Sequence, residues 1–192
     1  DRRQRQMCIR DSTKITAADF EYANATDHTI KLLGRSRAID DNTAEVMVAP
    51  FLLSKEHPLA MVHGVFNAVF VTGNMLGDSM YYGRGAGKLP TASAVVSDVV
   101  DCARHQGKVI MCFWDKEEVK LADIGEAERS FFIRAKAGAE DAVTAAFPGG
   151  RMVHLKDRKE DFGYFTQSMK EKDFQAKYEA LGGQMLGRIR LV

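Results

Sequence analysis

Segments rich in apolar and β-branched residues, separated by polar turns, follow one another through the first part of the chain in the pattern of β-strands. Segments 28–38 and 44–53 are rich in apolar and β-branched residues, and an Asp-Asp-Asn turn separates them. Together they predict an antiparallel pair of strands. The same pattern predicts three further elements here: a short helix from Thr16 to about Ala25 and strands over 64–72 and 78–83.

The period changes after Pro90, where apolar side chains recur every three or four residues. This spacing predicts a helix with one apolar stripe. Pro90 and Thr91 fit its first turn, because the first amides of a helix have no partner within it. The helix is predicted to end by Gly107, before a connector of uncertain structure.

The last third of the chain predicts four strands and two helices in the order βαββαβ. Gly149-Gly150 and Gly182-Gly183 stand where the two helices must end. Four strands and two helices within about 65 residues indicate a ferredoxin-like sandwich. The predicted strands are 130–136, 152–156, 163–168 and 185–191, and the predicted helices are 140–147 and 172–181.

Length and composition exclude several classes of protein. A chain of 192 residues allows one medium domain or two small ones. Its formal net charge of +1 offers no basic surface for nucleic acid or an anionic membrane, and no apolar run is long enough to span a bilayer. Three widely spaced cysteines predict neither a disulfide framework nor a metal site, which favours the reducing cytoplasm.

Residues 1–12, DRRQRQMCIRDS, have no periodicity and carry four arginines. We interpret them as a non-native or disordered segment, because they resemble the read-through translation of a sequencing adaptor. A basic flexible arm is the alternative. On the first interpretation the chain is an N-terminally truncated fragment.

A glycine-rich loop joins the fourth strand to the helix after Pro90. The run Tyr-Gly-Arg-Gly-Ala-Gly-Lys over 82–88 is not a Walker A loop, since the first glycine and the final Ser or Thr are absent. It is not a Rossmann turn either, because Lys88 replaces the third glycine. A strand, a bare loop and a helix start suit an anion or a closely approaching cofactor. A tight turn without a ligand remains the alternative.

The sequence on both sides of this loop is far more specific than the glycine run itself. The runs VHGVFNAV at 62–69 and YGRGAGKLPTASAVVSD at 82–98 resemble the C-terminal half of the catalytic domain of homoserine dehydrogenases. The resemblance covers about 13–107. That family often carries a C-terminal ACT regulatory domain, which has the βαββαβ order.

The resemblance divides the chain into a segment 1–12, a catalytic and dimerisation part 13–107, a connector 108–127 and an ACT-like domain 128–192. The fold class it implies is α+β, in which a partial mixed or antiparallel catalytic-domain sheet precedes a ferredoxin-like βαββαβ domain.

The activity implied is the interconversion of L-homoserine and L-aspartate 4-semialdehyde with NADP or NAD, in threonine and methionine biosynthesis. The enzyme would be cytoplasmic, a homodimer or higher homo-oligomer, and would bind no nucleic acid, membrane or metal. The family's catalytic lysine and substrate-binding acids precede this chain, so the catalytic residues here are unknown and the chain alone is predicted to be inactive.

The resemblance implies one cofactor-binding residue, Gly87, whose backbone would face the nicotinamide carrier. We interpret Gly83 and Gly85 in the same way, as positions whose lack of a side chain leaves room for the nicotinamide carrier. The ACT-like part departs from the pattern, because Lys-Ala-Gly-Ala-Glu at 136–140 replaces an Asp-x-Pro-Gly turn. This departure argues against feedback control by threonine and favours a role in subunit contact. The alternative function for this chain is an amino-acid-sensing or subunit-association ACT module without catalysis.

Overall fold

The computed structural model describes residues 14–108 and 117–192, so the predictions for segment 1–12 lie outside the described residues. The chain forms two compact units. The first unit combines the chain up to Lys55 with the chain from Glu118 onward, and the second comprises Glu56–Glu117. The predicted division at 108–127 follows the sequence rather than these units, and it stays a prediction.

Helix α1 and a mixed sheet make up the first unit, together with helices α3 and α4. The elements of this unit are α1 (Ala17–Ala25), β1 (His28–Asp40), β2 (Thr43–Ser54), β5 (Lys120–Leu121), β6 (Glu128–Arg129), β7 (Phe131–Lys136), α3 (Glu140–Ala146), β8 (Arg151–Val153), β9 (Asp161–Phe165), β10 (Met169–Lys170), α4 (Glu171–Leu181) and β11 (Met185–Leu191).

The central sheet has the strand order β1-β2-β11-β7-β9-β8, with β5 paired to β2. Taken alone, β7, β8, β9 and β11 are the four strands of a βαββαβ unit in the order 4-1-3-2, so the predicted ferredoxin-like arrangement is confirmed. The predicted β1–β2 pair is also observed as an antiparallel hairpin. It joins the sheet through a short parallel contact in which β11 residues Arg190 and Leu191 pair with Phe51 and Leu52 of β2.

Both faces of the central strand β7 are buried, because its alternate side chains enter two different cores. Phe131 and Ile133 belong to a cluster with Val143 of α3 and Phe174 of α4. On the opposite face Phe132 packs in a second cluster with Tyr22 of α1. Helix α1 therefore covers the side of the sheet that the two C-terminal helices leave open.

A buried polar network fixes α1 to this sheet. Arg134 donates from Nε to Asp19 Oδ1 at 2.8 Å, from one terminal nitrogen to Asp161 Oδ2 at 3.0 Å and from the other to Thr16 Oγ1 at 2.9 Å. The Tyr22 hydroxyl donates to Asp161 Oδ1 at 2.9 Å. Asp19, Arg134 and Asp161 are all buried, so each charge needs its partner.

A second buried network connects the hairpin to the C-terminal elements. Arg129 donates from Nε to Glu171 Oε2 at 3.1 Å and also pairs with Glu45 of β2. Arg190 donates from Nε to Glu171 Oε1 at 3.0 Å. All four side chains are buried. The hairpin thus contacts the ferredoxin-like part through ion pairs as well as through the short parallel pairing.

Acid is expected to weaken the first network through Asp161. Burial alone would raise the pKa of this carboxyl group, but hydrogen bonds from Arg158, Arg134 and Tyr22 outweigh burial and lower the pKa to about 2. Because the folded-state pKa lies below the unfolded value of 3.8, the carboxylate stabilises the fold above that pH. We expect about 2 kcal/mol to be lost as the pH falls from about 4 towards 2.

Urea unfolding between pH 6 and pH 2.5 measures this loss. Asp161→Asn should remove this share of the pH dependence. Asp27→Asn is the control, because Asp27 is exposed although its carboxylate lies 3.6 Å from Lys55 Nζ, and it should leave the pH dependence unchanged. Identical pH profiles for the wild-type chain and Asp161→Asn would contradict the assignment of the acid-induced loss of stability to Asp161.

The second unit contains a β-hairpin and the longest helix of the described residues. Its elements are a 3-10 turn at Pro58–Met61, β3 (Phe66–Gly73), β4 (Gly77–Arg84) and α2 (Lys88–Arg104). Within residues 14–108 and 117–192, β3 and β4 pair only with each other, in an antiparallel sheet. The two predicted strands and the predicted helix are therefore present, with the helix starting two residues before Pro90.

Candidate functional site

The candidate site is the glycine loop between β4 and α2. The hairpin that presents it is held in register along its whole length, from Phe66 opposite Arg84 to Gly73 opposite Gly77. At the loop end the rings of Phe66 and Tyr82 are stacked with centroids 4.8 Å apart, and the Arg84 guanidinium lies 5.3 Å from the centroid of the Phe66 ring. These contacts fix the end of β4 from which the loop departs.

Gly87 is the N-cap of α2 and adopts φ 130° and ψ 153°. Residues with a side chain rarely adopt this conformation, so the backbone requires glycine at this position. The Gly87 carbonyl accepts the amide of Thr91 at 3.1 Å and so closes the first helical turn. Because Pro90 has no N–H, Lys88 and Leu89 supply the first-turn amides that point out of the helix start.

The three glycines of the loop differ in what surrounds the position of a missing Cβ. A Cβ at Gly83 would meet no atom within 4 Å, so that side of the backbone is open. At Gly87 the backbone conformation requires glycine. At Gly85, in contrast, a Cβ would lie 2.3 Å from Nδ2 of Asn67. The interpretation of all three as room for a ligand is therefore wrong at Gly85, where the side chain of Asn67 occupies the space.

Sequence reasoning missed Asn67 as a member of the site. The signal was available, because Asn67 lies in the run VHGVFNAV that precedes the loop, and an antiparallel hairpin brings it opposite Gly83. What the sequence could not provide was the direction of its carboxamide, which reaches past Gly83 to the following glycine.

Every residue from Gly83 to Leu89 is exposed in its unit. Helix α2 has no buried residue, although one side of it is apolar. The most exposed large apolar side chains of this helix are Leu89 at 80%, Val99 at 62% and Val96 at 60%. The loop is therefore open to a ligand, and the helix behind it offers an apolar surface.

The electrostatics of the loop favour a negatively charged group. A helix start carries a partial positive charge, worth roughly 0.3–1 kcal/mol for an anion nearby. No acidic residue stands in the first turn of α2, and Lys88 adds a positive side chain. Bare backbone, outward amides and positive potential fit a dinucleotide cofactor that approaches the peptide closely.

The first unit has a cavity of its own. A cavity of about 380 Å³ in the first unit is lined by residues of α4 and β11, among them Tyr178 and Arg188. Across residues 14–108 and 117–192 no group of three or more His, Cys, Asp or Glu side chains is arranged to hold a metal ion. In the same residues no helix has the length and apolar character of a membrane span.

The chain is similar in sequence to one known protein family. The family model described as homoserine dehydrogenase matches residues 3–100, a range that includes both the loop and Asn67. It also begins within segment 1–12. The chain is 34% identical to the homoserine dehydrogenase of Helicobacter pylori over 143 residues, which cover 74% of this chain and 34% of that protein.

A second relative, the homoserine dehydrogenase of Synechocystis, is 49% identical over 90 residues, which cover 45% of this chain and 21% of the relative. The chain therefore spans about a third or less of the length of these two relatives.

Solved structures agree with the sequence relatives. The homoserine dehydrogenase from Thiobacillus denitrificans superposes with a TM-score of 0.75 at 27% identity, over 93% of this chain and 46% of that one. The homoserine dehydrogenase of S. aureus at pH 6.0 gives a TM-score of 0.68 at 25% identity, over 93% of this chain and 45% of that one. The likeness thus extends over both units, including residues beyond the family match.

Proposed function

The chain belongs to the homoserine dehydrogenase family, and from this premise we propose that it is part of an enzyme that interconverts L-homoserine and L-aspartate 4-semialdehyde with NADP or NAD. The observation that carries the proposal is the glycine loop at the start of α2, within the matched range 3–100. The enzyme would act on this small-molecule substrate in the cytoplasm, in threonine and methionine biosynthesis.

Gly87 is the residue that we propose to hold the cofactor. Its backbone conformation excludes a side chain, so a flat ring can approach the peptide, and the amides of Lys88 and Leu89 favour a negative or polar group at the helix start. NADP or NAD, when bound, supplies the hydride acceptor for alcohol oxidation. The chain's own contribution here is to bind and orient that group.

No residue of this chain is proposed to transfer a proton or to hold the substrate amine. The family resemblance places those groups in the part of the protein that precedes residue 13. We therefore propose that the 192-residue chain alone is inactive, because hydride transfer needs a bound nicotinamide and an oriented substrate together. The exposed apolar side of α2 would also promote association of the isolated chain.

A chimera tests this proposal directly. The N-terminal part of the Thiobacillus denitrificans enzyme, joined to this chain at residue 14, is expected to reduce NADP or NAD with L-homoserine, whereas the chain alone is not. Gly87→Ala in the chimera should weaken cofactor binding about tenfold or more, because φ 130° disfavours any side chain. Steady-state kinetics and fluorescence titration with NADPH measure both effects.

Gly183→Ala is the matched control, because a Cβ there meets no atom within 4 Å and the position lies in the first unit. It should leave cofactor affinity unchanged. A chimera that has native circular dichroism but oxidises no homoserine would contradict the proposed activity. Turnover by the 192-residue chain alone would contradict its proposed inactivity.

The alternative function concerns the C-terminal part. The strand order 4-1-3-2 of β11, β7, β9 and β8 supports an ACT-like module that senses an amino acid or associates subunits, including those of a homodimer. The same chimera separates the two functions, because a module without chemistry would leave it inactive.

A further inference from the structure

We propose that Asn67 is a positioning residue for the cofactor loop, and that its carboxamide, packed against Gly85, sets the path of the backbone from Arg84 to Gly87. The inference rests on the proposed function, since the loop is taken to hold the nicotinamide carrier. Asn67 acts through the loop, and it is not assigned a contact with the cofactor.

The hairpin register explains how the side chain of Asn67 reaches the loop. Asn67 lies directly opposite Gly83, and side chains of opposed residues in an antiparallel pair project from the same face. Gly83 offers no side chain to pack against. The carboxamide therefore passes over an empty position and lies against Gly85, two residues further along the same face.

The contact with Gly85 is close. A Cβ built on Gly85 would lie 2.3 Å from Nδ2, 3.1 Å from Cγ and 3.8 Å from Cβ of Asn67. The amide end of the carboxamide, from Nδ2 to Cγ, therefore occupies the space beside Gly85. A Cβ at this position could not coexist with the Asn67 side chain in this rotamer, so Gly85→Ala would displace that side chain.

The loop has few other contacts that could fix it. Its residues are exposed. In the part of the chain that the structure describes, only two atoms, both of Pro90 in the same turn, lie within 4 Å of a Cβ built on Gly87. A short loop between a strand and a helix can pivot at its glycines, whose backbone has the most conformational freedom. Packing by Asn67 at Gly85 restricts this freedom between the rigid end of β4 and the N-cap of α2.

NMR relaxation on the ¹⁵N-labelled 192-residue chain tests the proposal. Asn67→Ala is expected to lower the backbone order parameters of residues 85–88 by about 0.2 or more, while those of β7 in the first unit stay unchanged. Gly85→Ala should produce the same decrease, because it displaces the carboxamide. The double variant should show no larger decrease than either single variant, since both changes remove one contact.

Gly83→Ala is the control, because a Cβ there meets no atom among the described residues and should leave the order parameters unchanged. Unchanged order parameters in Asn67→Ala, or effects of the two single variants that simply add, would overturn the positioning role. Folding is monitored by the dispersion of the hairpin resonances, which should persist in every variant because Asn67 is exposed.

Titration with NADPH provides a second measurement that separates this inference from the proposed function. In the chimera, Asn67→Ala should require at least about fivefold more NADPH for half-saturation than the unsubstituted protein. If Gly87→Ala leaves NADPH binding by the chimera unchanged, the cofactor assignment of the loop fails. If Gly87→Ala weakens binding and Asn67→Ala does not, positioning by Asn67 fails and the proposed function stands.

Discussion

Replacement of Arg134 by methionine is expected to lower the free energy of unfolding by about 3–5 kcal/mol. The guanidinium lies between Asp19 and Asp161, at 2.8 Å and 3.0 Å, in a site where all three side chains are buried. Without it, two carboxylates face each other across the contact between α1 and the sheet. Urea unfolding at pH 7, followed by circular dichroism, measures the change.

Arg37→Met is the control for this experiment. Arg37 also forms an ion pair, 3.4 Å from Glu45, but its side chain is 55% exposed, and we expect a loss below about 1 kcal/mol. Equal effects of the two substitutions would show that burial of the Arg134 network does not determine its strength. Acid should partly rescue Arg134→Met, because protonation of either carboxylate relieves the repulsion between Asp19 and Asp161.

Glu171→Leu is expected to destabilise the chain by a similar amount, about 3–5 kcal/mol, because it leaves Arg129 and Arg190 buried without their shared carboxylate. These arginines come from β6 and β11, so the substitution should also loosen the hairpin that Arg129 contacts through Glu45. Hydrogen exchange should therefore accelerate in β2 more than in β9.

Glu126→Leu is a closely matched control. Glu126 also pairs with two cationic side chains, those of Lys170 and Lys172, but it is about half exposed, so we expect a much smaller loss of stability than for Glu171→Leu. A loss for Glu171→Leu that does not exceed the loss for Glu126→Leu would contradict the assigned importance of the buried network.

The sequence predicted most elements because local patterns determine them. Apolar and β-branched residues on either side of a polar turn identified the hairpin 28–54, and the glycine pairs marked the ends of α3 and α4. The way in which α1 packs was not predictable, since its contacts with Arg134 and Asp161 join residues more than a hundred positions apart. The parallel pairing of β2 with β11 also joins distant residues, so no short-range sequence pattern predicts it.

The candidate site was predicted in part for the same reason. The three glycines were visible as a motif, and the positive φ of Gly87 gives a physical reason for one of them. The role of Gly85 depends on Asn67, which lies on the other strand of the hairpin. Sequence alone could not distinguish a glycine that makes room for a ligand from one that makes room for a neighbouring side chain.

The second unit is inserted into the first at two distant points. The chain leaves the first unit after the end of β2 and re-enters it at β5, which pairs in parallel with Thr43 and Ala44 at the start of β2. At about 3.3 Å per residue, the length of β2 separates the two points by roughly 36 Å. Deleting 56–117 to obtain the first unit alone would therefore require a replacement linker of about a dozen extended residues, not a direct splice.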